Sequence, residues 1–259
     1  DMNNITNHIN AYSQGYGFVT GPINYIESHD ESRLIYQSTQ FQGHSLEEAY
    51  KRSKVGATIL FTSHGVPMIY SGQEFAQNAP TRDSGGFPIP QPLQWENLEN
   101  DITVDLNQHY KNLTSLRTDF DILKQPPLEV KYANNGNKVL VYWRADNEQK
   151  VVVVVNLDTN EHSLDLEFPN SGSWYNYLNG DELNIETNWF GGFALAPLTS
   201  YVFVPNNLPQ CNLGDINQDS VINVIDIVAL VNYILGGTLN EGGICASDLN
   251  QKGSEGRIL

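Results

Sequence analysis

The feature that most constrains this chain is a change in the period of its apolar residues. Between positions 46 and 61, Leu46, Ala49, Tyr50, Ser53, Ala57, Leu60 and Phe61 recur at helical spacing, and the pattern breaks at Gly65. Val66-Pro67-Met68-Ile69-Tyr70 follows as a short continuous apolar run closed by Ser71-Gly72, the pattern of a strand buried on both faces. Ile23-Asn24-Tyr25-Ile26 reads as an earlier strand, and Leu106, Tyr110, Leu113 and Leu116 as a second amphipathic helix. Strand, helix, strand, helix is the unit of a parallel α/β fold, which is therefore expected over residues 1–121.

Past Gln125-Pro126-Pro127 the period becomes two. Residues 139–143, 151–155, 164–168 and 201–204 read as antiparallel strands, with turn signals at Asn134-Asn135-Gly136-Asn137 and Asn179-Gly180-Asp181. A small β-sandwich that closes its own core is expected over residues 122–205. A third texture begins at Cys211, behind the linker Pro205-Asn206-Asn207-Leu208-Pro209.

Composition removes whole classes of partner. Fourteen Lys and Arg against thirty Asp and Glu leave a formal net charge of −16, which repels phosphate backbones and anionic lipid. No nucleic-acid or membrane partner is expected. No run approaches the ~18 apolar residues of a membrane-spanning helix.

The sharpest spacing is Asp215-Ile216-Asn217-Gln218-Asp219-Ser220-Val221-Ile222-Asn223-Val224-Ile225-Asp226. Side-chain oxygens fall at positions 1, 3, 5, 9 and 12 of a loop of the length that wraps a hard cation. Asp215, Asn217, Asp219, the Val221 carbonyl, Asn223 and Asp226 are the expected ligands, and calcium is the ion the spacing suits. The alternative is a polar turn that caps the helix behind it, where Val224, Ile227, Val228, Val231 and Ile234 form an apolar stripe ending at Gly236-Gly237.

A second constellation is Tyr25-Ile26-Glu27-Ser28-His29-Asp30, followed by Glu31-Ser32-Arg33. Catalytic groups of α/β barrels stand at the C-terminal ends of strands, so a His-Asp pair there is placed for chemistry. An N-cap Asp beside an unrelated His is the plainer alternative. Arg33 could pair with Glu31 or Asp30, or lie solvated on the surface.

Two resemblances sharpen these readings. Residues 25–30, together with Gly65-Val66-Pro67-Met68-Ile69-Tyr70-Ser71-Gly72-Gln73-Glu74, resemble the strand-seven and strand-eight motifs of the α-amylase superfamily, with Ser28 in place of the common Asn. Trp95 and the β-rich segment also look like that family. The resemblance implies that residues 1–121 are the last two strand-helix units of a (β/α)8 TIM barrel and residues 122–205 its antiparallel C-terminal sandwich. It further implies that Asp30 is the carboxylate supporting an oxocarbenium-like transition state, that His29 hydrogen-bonds the sugar, and that Arg33 lies among the substrate-binding residues. Gly65, Pro67, Gly72 and Glu74 are expected to be architectural. The nucleophile and general acid of that family lie on strands four and five, so this chain reads as the tail of a larger retaining α-glucan hydrolase, inactive by itself.

Residues 215–235 resemble a type I dockerin repeat, a small EF-hand-like module of secreted bacterial enzymes that binds calcium and docks onto cohesin domains. Residues 211–259 are expected to form it, with a second repeat that starts at Asp248 and Asn250 and then fails at Lys252 and Gly256. Val224 and Ile225 stand where dockerins often carry polar partner-reading residues. Cys211 and Cys245 each precede a repeat start, which suggests a disulfide in an oxidising compartment; two free thiols are the alternative. An extracellular, bacterial setting follows. Two other functions stay open: a branching or other transglycosylating enzyme, to which Gln73-Glu74-Phe75-Ala76-Gln77 leans, and a non-catalytic anchoring module.

Overall fold

The computed structural model describes residues 1–206, 214–219, 221–239, 243 and 246–247. These fall into two compact units, Asp1–Pro205 and Asn206–Leu259. The first contains helices α1 (Met2–His8), α2 (Leu34–Tyr36), α3 (Leu46–Thr62) and α4 (Asp101–Asp119) and strands β1 (Ile23–Tyr25) and β2 (Val66–Met68). Eight strands follow: β3 (Glu129–Asn134), β4 (Val139–Ala145), β5 (Lys150–Asn156), β6 (His162–Glu167), β7 (Gly172–Asn176), β8 (Glu182–Ile185), β9 (Trp189–Leu195) and β10 (Thr199–Pro205).

Helix α3 begins where Ser45 accepts a hydrogen bond from the Glu48 amide, with Glu47 and Glu48 facing the positive helix end. It buries Ala49, Ser53, Ala57, Leu60 and Phe61, the face expected from spacing. The chain then reverses at Gly65, whose φ is +96°; a Cβ there would stand 3.0 Å from the Pro22 carbonyl oxygen. Helix α4 starts from an Asn100 cap and buries Leu106, Tyr110, Leu113 and Leu116.

Strands β1 and β2 pair in parallel, with Ile23 opposite Val66 and Tyr25 opposite Met68. The expectation that the second strand is buried on both faces does not hold. Ile23, Tyr25, Val66 and Met68 are all exposed, because among the described residues this sheet has two strands and no further neighbour covers it.

The remaining strands form a six-stranded sheet, ordered β3-β4-β5-β10-β7-β8, and a two-stranded sheet, β6-β9, all antiparallel. Leu166 and Leu195 of the small sheet pack with Val139, Val141, Val152, Val154, Trp174 and Phe203 of the large one. The opposite face, with Leu140, Tyr142, Val151, Val153 and Val155, shares a single cluster with Leu60, Phe61, Leu106 and Leu113 from the helices. Both faces are therefore apolar, which is why β5 is a run of valines instead of an alternating strand. The sandwich closes its own core between the two sheets, and α3 and α4 cover the outer face of the larger sheet.

Polar groups stitch this seam. Arg144, fully buried, donates to the carbonyls of Thr62 (2.7 Å), Ile122 (2.9 Å), Gln125 (2.6 Å) and Pro127 (3.0 Å). Arg117 donates to Phe61, Ser63 and Gly65. The two guanidiniums thus satisfy carbonyls at the C-terminal end of α3, where the helix dipole favours cations.

Candidate functional site

Beyond the C-terminal end of β1 the chain alternates buried and exposed groups. Glu27 and Ser28 are buried, while the side chains of His29 and Asp30 are 79% and 74% exposed, with Nε2 of one 3.4 Å from Oδ1 of the other. Ser28 Oγ accepts from the Asp30 amide at 3.2 Å. A carboxylate and an imidazole side by side in solvent can both meet the hydroxyls of a ligand, the carboxylate as acceptor and the ring as donor or acceptor.

Arg33 sits elsewhere than expected. It pairs with neither Glu31 nor Asp30 and is not on the surface: its side chain is 1% exposed and bonds Glu27 Oε2 at 3.0 Å. It also donates to Gln91 Oε1 (3.0 Å) and the Ser71 carbonyl (2.9 Å), and its guanidinium lies 3.8 Å from the centre of the Tyr70 ring. These contacts of Arg33 hold the segment after β1 to the segment after β2. Its partner Glu27, which spacing did not single out, accepts from the Leu34 amide at 2.9 Å. Burial pushes the Glu27 carboxyl up, against the downward pull of these hydrogen bonds. A carboxylate one pleat before the exposed pair was the available signal.

Gly72 has φ +96°, and a Cβ there would lie 2.9 Å from Gln77 Cβ, so glycine is required. Glu74 Oε2 accepts from the Gly72 amide at 2.9 Å, and Gln73 reaches the Tyr110 hydroxyl at 2.8 Å.

The second unit contains the oxygen-rich loop. Asp215 and Asp226 are buried at its two ends. Asp226 accepts from the amides of Asn217 (3.1 Å) and Asn223 (2.8 Å), and Asp215 accepts from the Asp219 amide (3.1 Å). The loop is closed by its own acids. The Asn223 and Asn217 amides hold the Asp226 carboxyl below the usual carboxylate range. Gln218, at position 4 of the loop, takes the left-handed conformation, φ +61°. Helix α5 (Val224–Ile234) follows from an Asn223 cap with a reciprocal Asp226 contact, so the capped turn is present as well. Val224, Ile227, Val228, Val231 and Ile234 are exposed on it. Among the described residues no three acidic, histidine or cysteine side chains meet at one point, the loop acids being turned onto amides. The donors within the loop are nonetheless all oxygens, a set that fits a hard cation. Cys211, Cys245, Asp248, Asn250, Lys252 and Gly256 lie outside the described residues. No helix among the described residues is long and apolar enough to cross a membrane.

Comparison with known proteins matches two stretches of the chain that overlap at residues 213–222. Residues 130–222 match the family described as alpha amylase, C-terminal all-beta domain, and residues 213–255 match the dockerin type I domain. The chain is thus similar over residues 130–222 to the C-terminal domain of α-amylases and over residues 213–255 to type I dockerins. A cyclomaltodextrinase from a Bacillus species is 28% identical over 142 residues, covering 54% of this chain and 23% of that protein. Neopullulanase 2 of Thermoactinomyces vulgaris is 27% identical over 165 residues, 62% of this chain and 26% of its own. The chain thus spans about a quarter of these amylase-family relatives. Among solved structures, an Anoxybacillus pullulanase complexed with maltotetraose superposes with a TM-score of 0.62 at 17% identity, covering 79% of this chain and 31% of that one. A Geobacillus thermoleovorans α-amylase complexed with acarbose gives 0.54 at 19% identity, covering 70% and 38%.

Proposed function

We propose that this chain is part of a secreted bacterial α-glucan hydrolase of the α-amylase type. Residues 1–121 supply the last two units of its (β/α)8 barrel, residues 122–205 its sandwich, and residues 211–259 a dockerin that attaches the enzyme to a cohesin. The observation that carries the reading is the pair β1-β2: two parallel strands whose C-terminal ends, tied together by Arg33, present His29 and Asp30 to solvent. The exposed apolar side chains on both strands support a sheet that continues. So does a hollow of about 490 Å³ beside β1, lined by Ile5, Ile9, Ile23, Ile26, Ile59 and Leu60.

In this reading Asp30 accepts hydrogen bonds from sugar hydroxyls. Those bonds strengthen as positive charge develops at the anomeric carbon, so they favour the transition state over the bound substrate. His29 orients the same sugar. Arg33 and Glu27 keep both in place, and the nucleophile and general acid come from barrel strands other than these two. Calcium would be held by Asp215, Asn217, Asp219, the Val221 carbonyl, Asn223 and Asp226, whose oxygens would have to turn from the backbone amides to the ion.

In the intact enzyme, Asp30→Asn should lower kcat on maltooligosaccharides by well over a decade, since a loss under ~1.4 kcal/mol would be too small for a group acting in the transition state. A variant that keeps more than a tenth of wild-type kcat would remove Asp30 from the chemistry. Product analysis tests the reaction type: hydrolysis releases reducing ends from amylose, whereas a branching enzyme would add branch points without them. The names of the relatives favour hydrolysis.

A further inference from the structure

A separate hollow of about 520 Å³ opens on the seam between the helices and the sandwich. Its walls come from the first halves of α3 and α4, the turn between β7 and β8, and the start of β10, and none of its residues belongs to the segments around Asp30. The volume lies within the roughly 300–1,000 Å³ of ligand clefts, which favour such junctions between packed parts.

The lining selects a chemistry. Its lysines are answered locally, Lys51 by Glu47 at 2.8 Å and Lys54 by Asp105, so the groove offers no unpaired charge to an anion or a cation. What remains is neutral and hydrogen-bonding. Gln108 donates to Asn112 Oδ1 at 2.8 Å, which leaves its own carbonyl oxygen for a ligand. At the floor, Thr58 Oγ1 contacts both Ser200 Oγ (2.7 Å) and His109 Nε2 (3.0 Å). The same Nε2 lies 3.0 Å from the Lys54 carbonyl oxygen, which can only accept, so Nε2 carries the hydrogen and Nδ1 is a bare acceptor. Burial holds the His109 imidazole down to about 4, so that acceptor persists at neutral pH. Tyr50 and Tyr201 add half-buried rings, apolar faces with polar tips.

We propose that this groove is a second binding site that takes a short stretch of neutral α-linked glucose chain independently of His29 and Asp30. The identity of the sugar rests on the α-glucan reading above; the position and neutrality of the site do not. A glucan held here would keep the polymer on the enzyme while His29 and Asp30 meet another part of it.

The test is calorimetric titration of the 259-residue chain with maltopentaose, with cellopentaose as the β-linked control. Saturable binding is expected, at least ten-fold weaker for cellopentaose. Tyr50→Ala and Gln108→Ala should each weaken it at least five-fold. Gln108 is exposed, so its variant keeps the fold, and far-UV circular dichroism checks this. Absence of any maltopentaose binding overturns the groove. So does binding that survives both groove variants and is lost in His29→Ala, although that result leaves the glucan reading standing. Equal binding of cellopentaose overturns the choice of an α-linked ligand.

Discussion

His109 shows how one residue carries both stability and pH dependence. It is held neutral, its imidazole pulled from the ordinary 6.5 to about 4, first by burial and then by the nearby Lys54 charge. The folded state therefore binds this proton less readily than the unfolded one. Its stabilising effect is complete above ~6.5 and declines as the pH falls from there towards about 4, by up to roughly 3 kcal/mol. Urea melts of the chain between pH 7 and pH 4 should show this loss, and His109→Gln should flatten it; an unchanged slope would mean the imidazole is free to protonate in the fold. Asp226 also weakens the fold in acid, because its carboxyl is held below the usual range by the Asn223 and Asn217 amides and its contribution disappears as the pH falls through that lowered value.

At the scale of elements, the end of α3 and the loop before α5 depend on single side chains. Arg144→Met keeps volume but removes donors from four carbonyls, two of them in buried hydrogen bonds, so it should destabilise the first unit by roughly 2–4 kcal/mol, read as a lower denaturant midpoint. A change below ~0.5 kcal/mol would mean water replaces the guanidinium at no cost. The calcium loop allows a sharper test. Titration of the chain with calcium should give one ion per molecule, lost in Asp215→Ala and accompanied by a gain in helical circular dichroism from Val224–Ile234. Two ions would show that the residues after Asp248 also bind, and none would leave residues 215–226 as a capped polar turn.

At the scale of the molecule, the first unit is a single cooperative body, because residues on both sides of position 121 share one core. A chain starting at residue 122 would expose Leu140, Tyr142, Val151, Val153 and Val155 on one sheet face. It should bind a hydrophobic dye and lose its sharp thermal transition, while residues 1–206 should unfold in one step. A well-folded fragment 122–206 would show that β6-β9 suffices to stabilise the sheet. The exposed Ile23, Tyr25, Val66 and Met68 work against solubility, and the net charge of −16 opposes that tendency.

Local pattern was enough for the parts of this protein in which neighbours in sequence are neighbours in space. The faces of α3 and α4, the cap of α5, the turns at Asn134 and Asn179 and the closed loop from Asp215 to Asp226 all follow from spacings of three to twelve residues, where backbone geometry leaves few alternatives. Strands β3, β7, β8 and β9 carry mixed patterns and became visible only through their partners, since a strand is completed by hydrogen bonds to another segment. Arg33 is the clearest case at the site. Its sequence neighbours suggested a pairing with Glu31 or Asp30, yet the fold turns it inward to Glu27, Tyr70, Ser71 and Gln91. Sequence alone placed the exposed His-Asp pair at a strand end. Tertiary structure decided which charge is buried behind it and which apolar faces meet, because both depend on segments that are distant in sequence.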